Sequence, residues 1–144
     1  MFAAIMSPYV IVIIIAWLVA HLIKLIISLI KNEKFAWFNV FASGGMPSSH
    51  TATAVALMTV IGFRDNFGSG LFGLSLLFTI IVAYDAMKVR RSSGEQGLAV
   101  HSIIKEQKSN IKLPRISMGH TPLEVVAGVF LGVIIGLVVF LSTK

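Results

Sequence analysis

Two histidines carry the chemistry open to this chain, and each stands where a tight polar turn runs into an apolar stretch. The first lies in Gly44-Gly45-Met46-Pro47-Ser48-Ser49-His50-Thr51-Ala52, the second in Gly119-His120-Thr121-Pro122-Leu123-Glu124. In the first, Pro47, Ser48 and Ser49 suit a helix start, where serine hydroxyls cap free amides. Such a start also receives anions, because its amides and dipole point at the ligand. Gly44 and Gly45 let backbone approach closely. The plainer reading is a capped helix with a histidine at the membrane interface. In the second, Thr121, Pro122 and Glu124 fit a capping box, with Thr at N-cap, Pro at N1 and Glu at N3. Glu124 also follows His120 by four residues. At that spacing a carboxylate can accept the ring N–H, fix the tautomer and raise nucleophilicity. One carboxylate is not expected to do both jobs fully.

Between the two histidines lies Tyr84-Asp85-Ala86-Met87-Lys88-Val89-Arg90-Arg91-Ser92-Ser93-Gly94-Glu95-Gln96. Adjacent Arg90 and Arg91 can grip phosphate oxygens with fork geometry, or anchor the chain at a membrane surface. Asp85 ends an apolar run, where a carboxylate is costly unless paired. It reads as a scaffold for the arginines, or a partner for Lys88, rather than a proton donor. Lys24 shares a helix face with His21, three residues before it. It either snorkels to the interface or binds phosphate. His21 reads as a hydrogen-bonded interior residue and His101 as a surface histidine.

The elements that must position these groups are membrane helices. Hydrophobic residues make up 56% of 144 and charged residues 12%, too apolar for a soluble domain of this size. The mean hydropathy of +0.90 agrees. The expected architecture is all-α: a polytopic membrane bundle of about four transmembrane helices with one short interfacial segment, a single domain over 1–144. With no cysteine, disulfides and thiol-ligated metals are excluded. No cleavable signal peptide is expected, because 8–30 is too long for a signal core.

Residues 8–30 suffice to cross a bilayer. Phe35–Ala42 is too short to span and reads as interfacial, with Trp37 at head-group depth. Thr51–Phe63 with 47–50 gives a barely spanning second helix, and Leu71–Met87 a third. Lys88–Met118 is the long polar stretch, with Gln96–Ile104 as a short surface helix inside it and Ile111–Ser117 as loop. Thr121–Ser142 is the fourth helix. Its Gly128, Gly132 and Gly136 form a small-residue stripe that suits internal packing or a homo-oligomer equally.

Four crossings put the end of the first helix, the starts of the second and fourth, and the end of the third at one face. Lys24, Ser48–His50, Asp85–Arg91 and Gly119–Glu124 then converge there. That side also carries nine of the twelve basic residues, namely Lys31, Lys34, Lys88, Arg90, Arg91, Lys105, Lys108, Lys112 and Arg115. The positive-inside rule makes it cytoplasmic, in the cell membrane. In a membrane protein such charge reports topology and anionic head groups before nucleic acid.

Taken together, Gly-Gly-Met-Pro-Ser-Ser-His at 44–50, Asp85 with Arg90-Arg91 and Gly94-Glu95-Gln96, and Gly119–Glu124 resemble the divergent branch of the type-2 phosphatidic acid phosphatase and vanadium haloperoxidase superfamily. The resemblance covers nearly the whole chain. It implies a helical membrane phosphatase acting on a phosphomonoester or diphosphate without metal or other cofactor. The family's Pro-Ser-Gly-His appears as Pro47-Ser48-Ser49-His50. The resemblance makes His50 the general acid for the leaving alkoxide, with Ser48 and Ser49 holding phosphate. The family's later histidine, with aspartate four residues on, matches His120 and Glu124, so His120 would be the nucleophile that forms a phosphohistidine. The arginine six residues before that histidine has no counterpart, since Arg115 is five before and follows proline. The lysine and arginine-proline motif is only echoed by Lys24 and Lys31-Asn32. Arg90, Arg91 and Lys24 are the candidates for the phosphate clamp instead.

The expected function is hydrolysis of a lipid or polyprenyl phosphate at the membrane, with transfer to a lipid acceptor as a related reaction. The alternative is a non-catalytic phospholipid-binding or transport protein that keeps the anion site. A metal site built from His50, His120, Asp85 and Glu124 is a weaker rival, because no paired-histidine motif is present.

Overall fold

A computed structural model describes residues 7–31, 45–114, 116 and 118–144. The interfacial segment Phe35–Ala42 with Trp37, the residues Asn32–Lys34 and Gly44, and Arg115 lie outside the described residues. The described chain forms α1 (Pro8–Ile30), α2 (Ser49–Asp65), α3 (Gly70–Tyr84), a π-helical turn (Asp85–Val89), α4 (Arg90–Glu106) and α5 (Pro122–Ser142). The first helix has the bounds its apolar run predicts, with Pro8 at its first turn.

Among the described residues, three helical stretches are long and apolar enough to cross a membrane: Pro8–Ile30, Gly70–Glu106 and Pro122–Ser142. Their outward faces are apolar and exposed, as at Leu18, Leu74 and Phe130, which suits contact with lipid. α2 differs. Its 17 residues reach only about 25 Å at ~1.5 Å per residue, short of an independent span. It lies inside the bundle instead, and Thr51, Ala52, Ala54, Val55, Ala56, Thr59, Val60 and Ile61 are all buried. Small residues let three neighbours close on it. Its hydroxyls bond within the helix, as Thr59 Oγ1 does to the Val55 carbonyl at 2.8 Å, so burial leaves them satisfied.

The glycine stripe has one partner, α2. A Cβ on Gly128 would stand 2.7 Å from the Ser48 carbonyl oxygen, one on Gly132 2.5 Å from that of Ala52, and one on Gly136 2.6 Å from Thr59 Cβ. Contacts that climb both helices together show that α2 and α5 run parallel. α1 runs opposite to α2 and packs Val12 and Ala16 against Ala56 and Val60, with Ile135 and Val139 from α5. At the far end Tyr9 Oη donates to Asp65 at 2.7 Å, and Arg64 donates to Thr143. At the near end the Ser48 amide donates to the Glu124 carbonyl at 3.0 Å. The starts of α2 and α5 therefore meet, as the topology requires.

The polar stretch after Met87 departs from expectation. The chain stays helical from Gly70 through Glu106, and the surface helix begins at Arg90, not Gln96. Paired side chains four residues apart run through Ser92-Ser93-Gly94 and carry the helix forward to Gln96. Arg91 Nε donates to Glu95 at 3.2 Å and Gln96 Nε2 to Ser92 at 3.1 Å. Such pairs support a helix turn. His101 lies at the surface as expected, and its Nε2 donates to the Pro114 carbonyl at 2.6 Å. Ile116 packs beside Gly97, so the returning chain lies back along α4.

Candidate functional site

His120 is held by three elements at once. Its backbone N–H donates to the Ala86 carbonyl at 2.9 Å, which docks the start of α5 on the π-helical turn. Its neighbour Gly119 lies against the Arg91 backbone, and a Cβ there would overlap the Arg91 amide and Cα. Only glycine permits so close a crossing. The ring is 3% exposed, and its Nδ1 lies 2.9 Å from Glu124 Oε2. A carboxylate only accepts, so Nδ1 carries the proton and the Nε2 lone pair faces away from Glu124.

The same Oε2 accepts the Thr121 N–H at 3.1 Å, while Thr121 Oγ1 accepts the Glu124 N–H at 3.3 Å. The capping box is complete. This corrects the expectation that capping and ring orientation compete for the carboxylate. One oxygen has lone pairs for two donors, and the N-cap amide and the preceding ring reach it from the same side.

Burial pushes the His120 ring below the ordinary histidine value of 6.5, with the Glu124 hydrogen bond pulling the other way. Removing the ring from water penalises the imidazolium, and nearby Lys24 and Arg90 repel it further. His120 is therefore neutral at pH 7, with a lone pair to use.

Around it the electrostatics are cationic. Lys24 and Arg90 both act on His120 and on His50. Lys24, half-buried on α1, is also attracted to Glu124. His50 sits in the first turn of α2, exposed, within the electrostatic reach of Arg90, Lys24, His120 and His21. His21 is hydrogen-bonded as expected, its Nδ1–H donating to the Trp17 carbonyl at 2.8 Å, but it is partly exposed rather than interior. Lys24 and Arg90, with the Glu124 carboxylate already engaged, give this side a positive potential of the sign that attracts an anion.

The two arginines separate. Arg90 Nε donates to Asp85 Oδ2 at 2.5 Å, so Asp85 is the scaffold its cost predicts. Arg91 turns to Glu95 and is 56% exposed. Ser48 is committed to the helix start. Ser48 is fully buried, and its Oγ lies 3.0 Å from Thr51 Oγ1 and accepts the Thr51 N–H at 3.4 Å. Ser49 is buried too, and its carbonyl accepts from Thr53 Oγ1 at 2.8 Å. Gly45 takes a φ of +77° with open space around its missing Cβ. Its glycine serves the left-handed turn, not a close approach.

Sequence reasoning passed over Ala86 and Gly119. Ala86 acts through its carbonyl, which leaves no mark in residue type. Gly119 does leave one, since a glycine directly before a buried histidine signals a tight crossing.

The sequence matches the model of the Divergent PAP2 family over residues 5–135. It is 33% identical over 135 residues to the "Uncharacterized membrane protein YuiD" of Bacillus subtilis (strain 168), with 83% of this chain and 85% of that protein covered. No solved structure matches significantly. With its apolar helices and buried histidine at the meeting of two helix starts, this multi-pass membrane protein belongs to the Divergent PAP2 family.

Proposed function

We propose that this protein is an integral membrane phosphatase that hydrolyses a lipid or polyprenyl phosphate through a phosphohistidine, without metal. The observation that carries the reading is His120: buried, neutral, oriented by Glu124 at 2.9 Å, and set among Lys24 and Arg90. Nε2 attacks phosphorus, a P–N bond forms and the P–O ester bond breaks. His50, protonated, gives its proton to the leaving alkoxide. Water then attacks the phosphohistidine, His50 takes the water's proton, and the P–N bond breaks to free phosphate. Arg90 and Lys24 stabilise charge on the equatorial oxygens, where catalysis of phosphoryl transfer mainly lies. Arg91 is a weaker candidate for the clamp because of its pairing with Glu95. Ser48 acts through the helix start it caps rather than as a hydroxyl ligand, and the Ser49 hydroxyl contributes to holding the phosphate. The apolar, exposed Leu123 and Met46 beside the starts of α5 and α2 suit a substrate with a lipid tail. The basic residues on this side favour the cytoplasmic face of the cell membrane.

The test is phosphate release by detergent-purified protein from polyprenyl monophosphates, polyprenyl diphosphates and phosphatidic acid, with chelator present. Turnover sensitive to vanadate supports the reading. Vanadate affinity with no product from any substrate moves the protein to the phospholipid-binding class.

The pH profile has a defined sign. Protonating His120 removes its lone pair, and its value lies below 6.5. The acid limb of kcat/KM therefore falls below pH 6.5, with the rate declining as pH drops through the lowered value. Glu124 holds the ring up against burial, so Glu124→Gln moves that limb to still lower pH while reducing kcat. A limb above 6.5, or one that Glu124→Gln moves upward, contradicts the assignment.

A further inference from the structure

Asp85 and Arg90 are five residues apart. On an α-helix that spacing separates two side chains by about 140°. They meet at 2.5 Å because the helix is π-helical between them, and the Arg90 N–H donates to the Asp85 carbonyl five residues back. That register stacks residues i and i+5 on one face.

The register change has a second product. The Arg90 amide takes Asp85, and bonding four residues back resumes in α4. The carbonyl passed over is that of Ala86. A backbone carbonyl left over inside a protein needs a donor, and Ala86 is buried. Its donor is the His120 N–H at 2.9 Å. Next to it, Gly119 rests on the Arg91 backbone.

On the phosphatase reading above, we infer that the π-helical turn is the positioning element of the site: it seats the Arg90 guanidinium on Asp85 and holds His120 on the spare carbonyl of Ala86. One turn thus sets the phosphate clamp and the nucleophile relative to each other. Asp85 and Ala86 are positioning residues, touching no substrate themselves.

Two variants separate the halves. Asp85→Asn keeps size and removes the charge that fixes Arg90. Orthovanadate affinity by calorimetry is expected to fall about tenfold and kcat/KM to fall by about tenfold or more. Deleting Lys88, whose side chain is exposed, restores an unbroken α-helix. Asp85 and Arg90 then stand four apart and stay paired, but the Ala86 carbonyl is taken by the next amide. Vanadate affinity is expected to hold within about threefold while kcat falls by about tenfold or more. Far-UV circular dichroism and the thermal midpoint report folding. Where the deletion does not fold, Asp85→Asn alone decides.

Unchanged vanadate affinity in Asp85→Asn overturns the inference, as does unchanged kcat in the folded deletion. A loss of stability with no change in affinity makes the pair merely structural and overturns it too. Wild-type protein that binds vanadate without turnover sinks the phosphatase reading, and the affinity arm still decides the role of Asp85. Wild type that neither turns over nor binds vanadate overturns both.

Discussion

His120→Ala is expected to lower phosphate release by about 10⁴-fold, to near background. That corresponds to ~5 kcal/mol of transition-state stabilisation, the scale on which a covalent nucleophile acts. The fold should survive the change. Glu124 Oε2 keeps the Thr121 N–H, and Thr121 Oγ1 keeps the Glu124 N–H, so the helix start stays capped. The main-chain bond from residue 120 to Ala86 does not depend on the side chain. The variant should therefore keep its vanadate affinity within about tenfold, because Arg90 and Lys24 are untouched. Loss of turnover with retained anion binding separates a chemical role from a structural one. A variant that hydrolyses at the wild-type rate contradicts the assignment.

The largest effect on stability is expected at Gly132. A Cβ there stands 2.5 Å from the Ala52 carbonyl oxygen and 2.7 Å from Val55 Cβ. The first contact is backbone and cannot swing aside, so α2 and α5 must part. Helix propensity opposes this loss, since glycine inside a helix costs about 1 kcal/mol against alanine. The overlap outweighs it: Gly132→Val is expected to cost ~3 kcal/mol, at the upper end for overpacking. The apparent midpoint in detergent should drop by roughly 10 °C. Gly73→Ala is the control. Gly73 lies within α3 with nothing within 4 Å of its missing Cβ, so propensity alone acts and the midpoint should hold or rise. Equal midpoints for Gly132→Val and wild type would contradict the parallel packing of α2 and α5.

What the sequence discloses follows from which forces are local. The apolar run at 8–30 and the capping signals around Thr121 need no tertiary information, and both match the structure. The convergence of His50, Asp85 and His120 at one face follows from counting crossings, and the Ser48–Glu124 and His120–Ala86 bonds agree with it. The partner of the glycine stripe is non-local. Only three-dimensional packing shows that Gly128, Gly132 and Gly136 meet Ser48, Ala52 and Thr59. The choice between Arg90 and Arg91 is hidden for another reason. It depends on a π-helical turn, and an α-helical periodicity read through Asp85–Val89 places Asp85 under neither arginine. The surface helix starts at Arg90 rather than Gln96 because the Arg91–Glu95 and Ser92–Gln96 pairs support the turn through Ser92-Ser93-Gly94. The shared oxygen of Glu124 depends on the angle at which the chain enters α5, and spacing does not carry that angle.

The most direct test of the phosphohistidine is to quench the protein during turnover of a radiolabelled lipid phosphate and map any protein-bound label. Nucleophilic attack by His120 predicts acid-labile, alkali-stable label on the peptide containing that residue, absent from His120→Ala. Label at Ser48 or Ser49, label that persists in His120→Ala, or turnover with no bound label would contradict it.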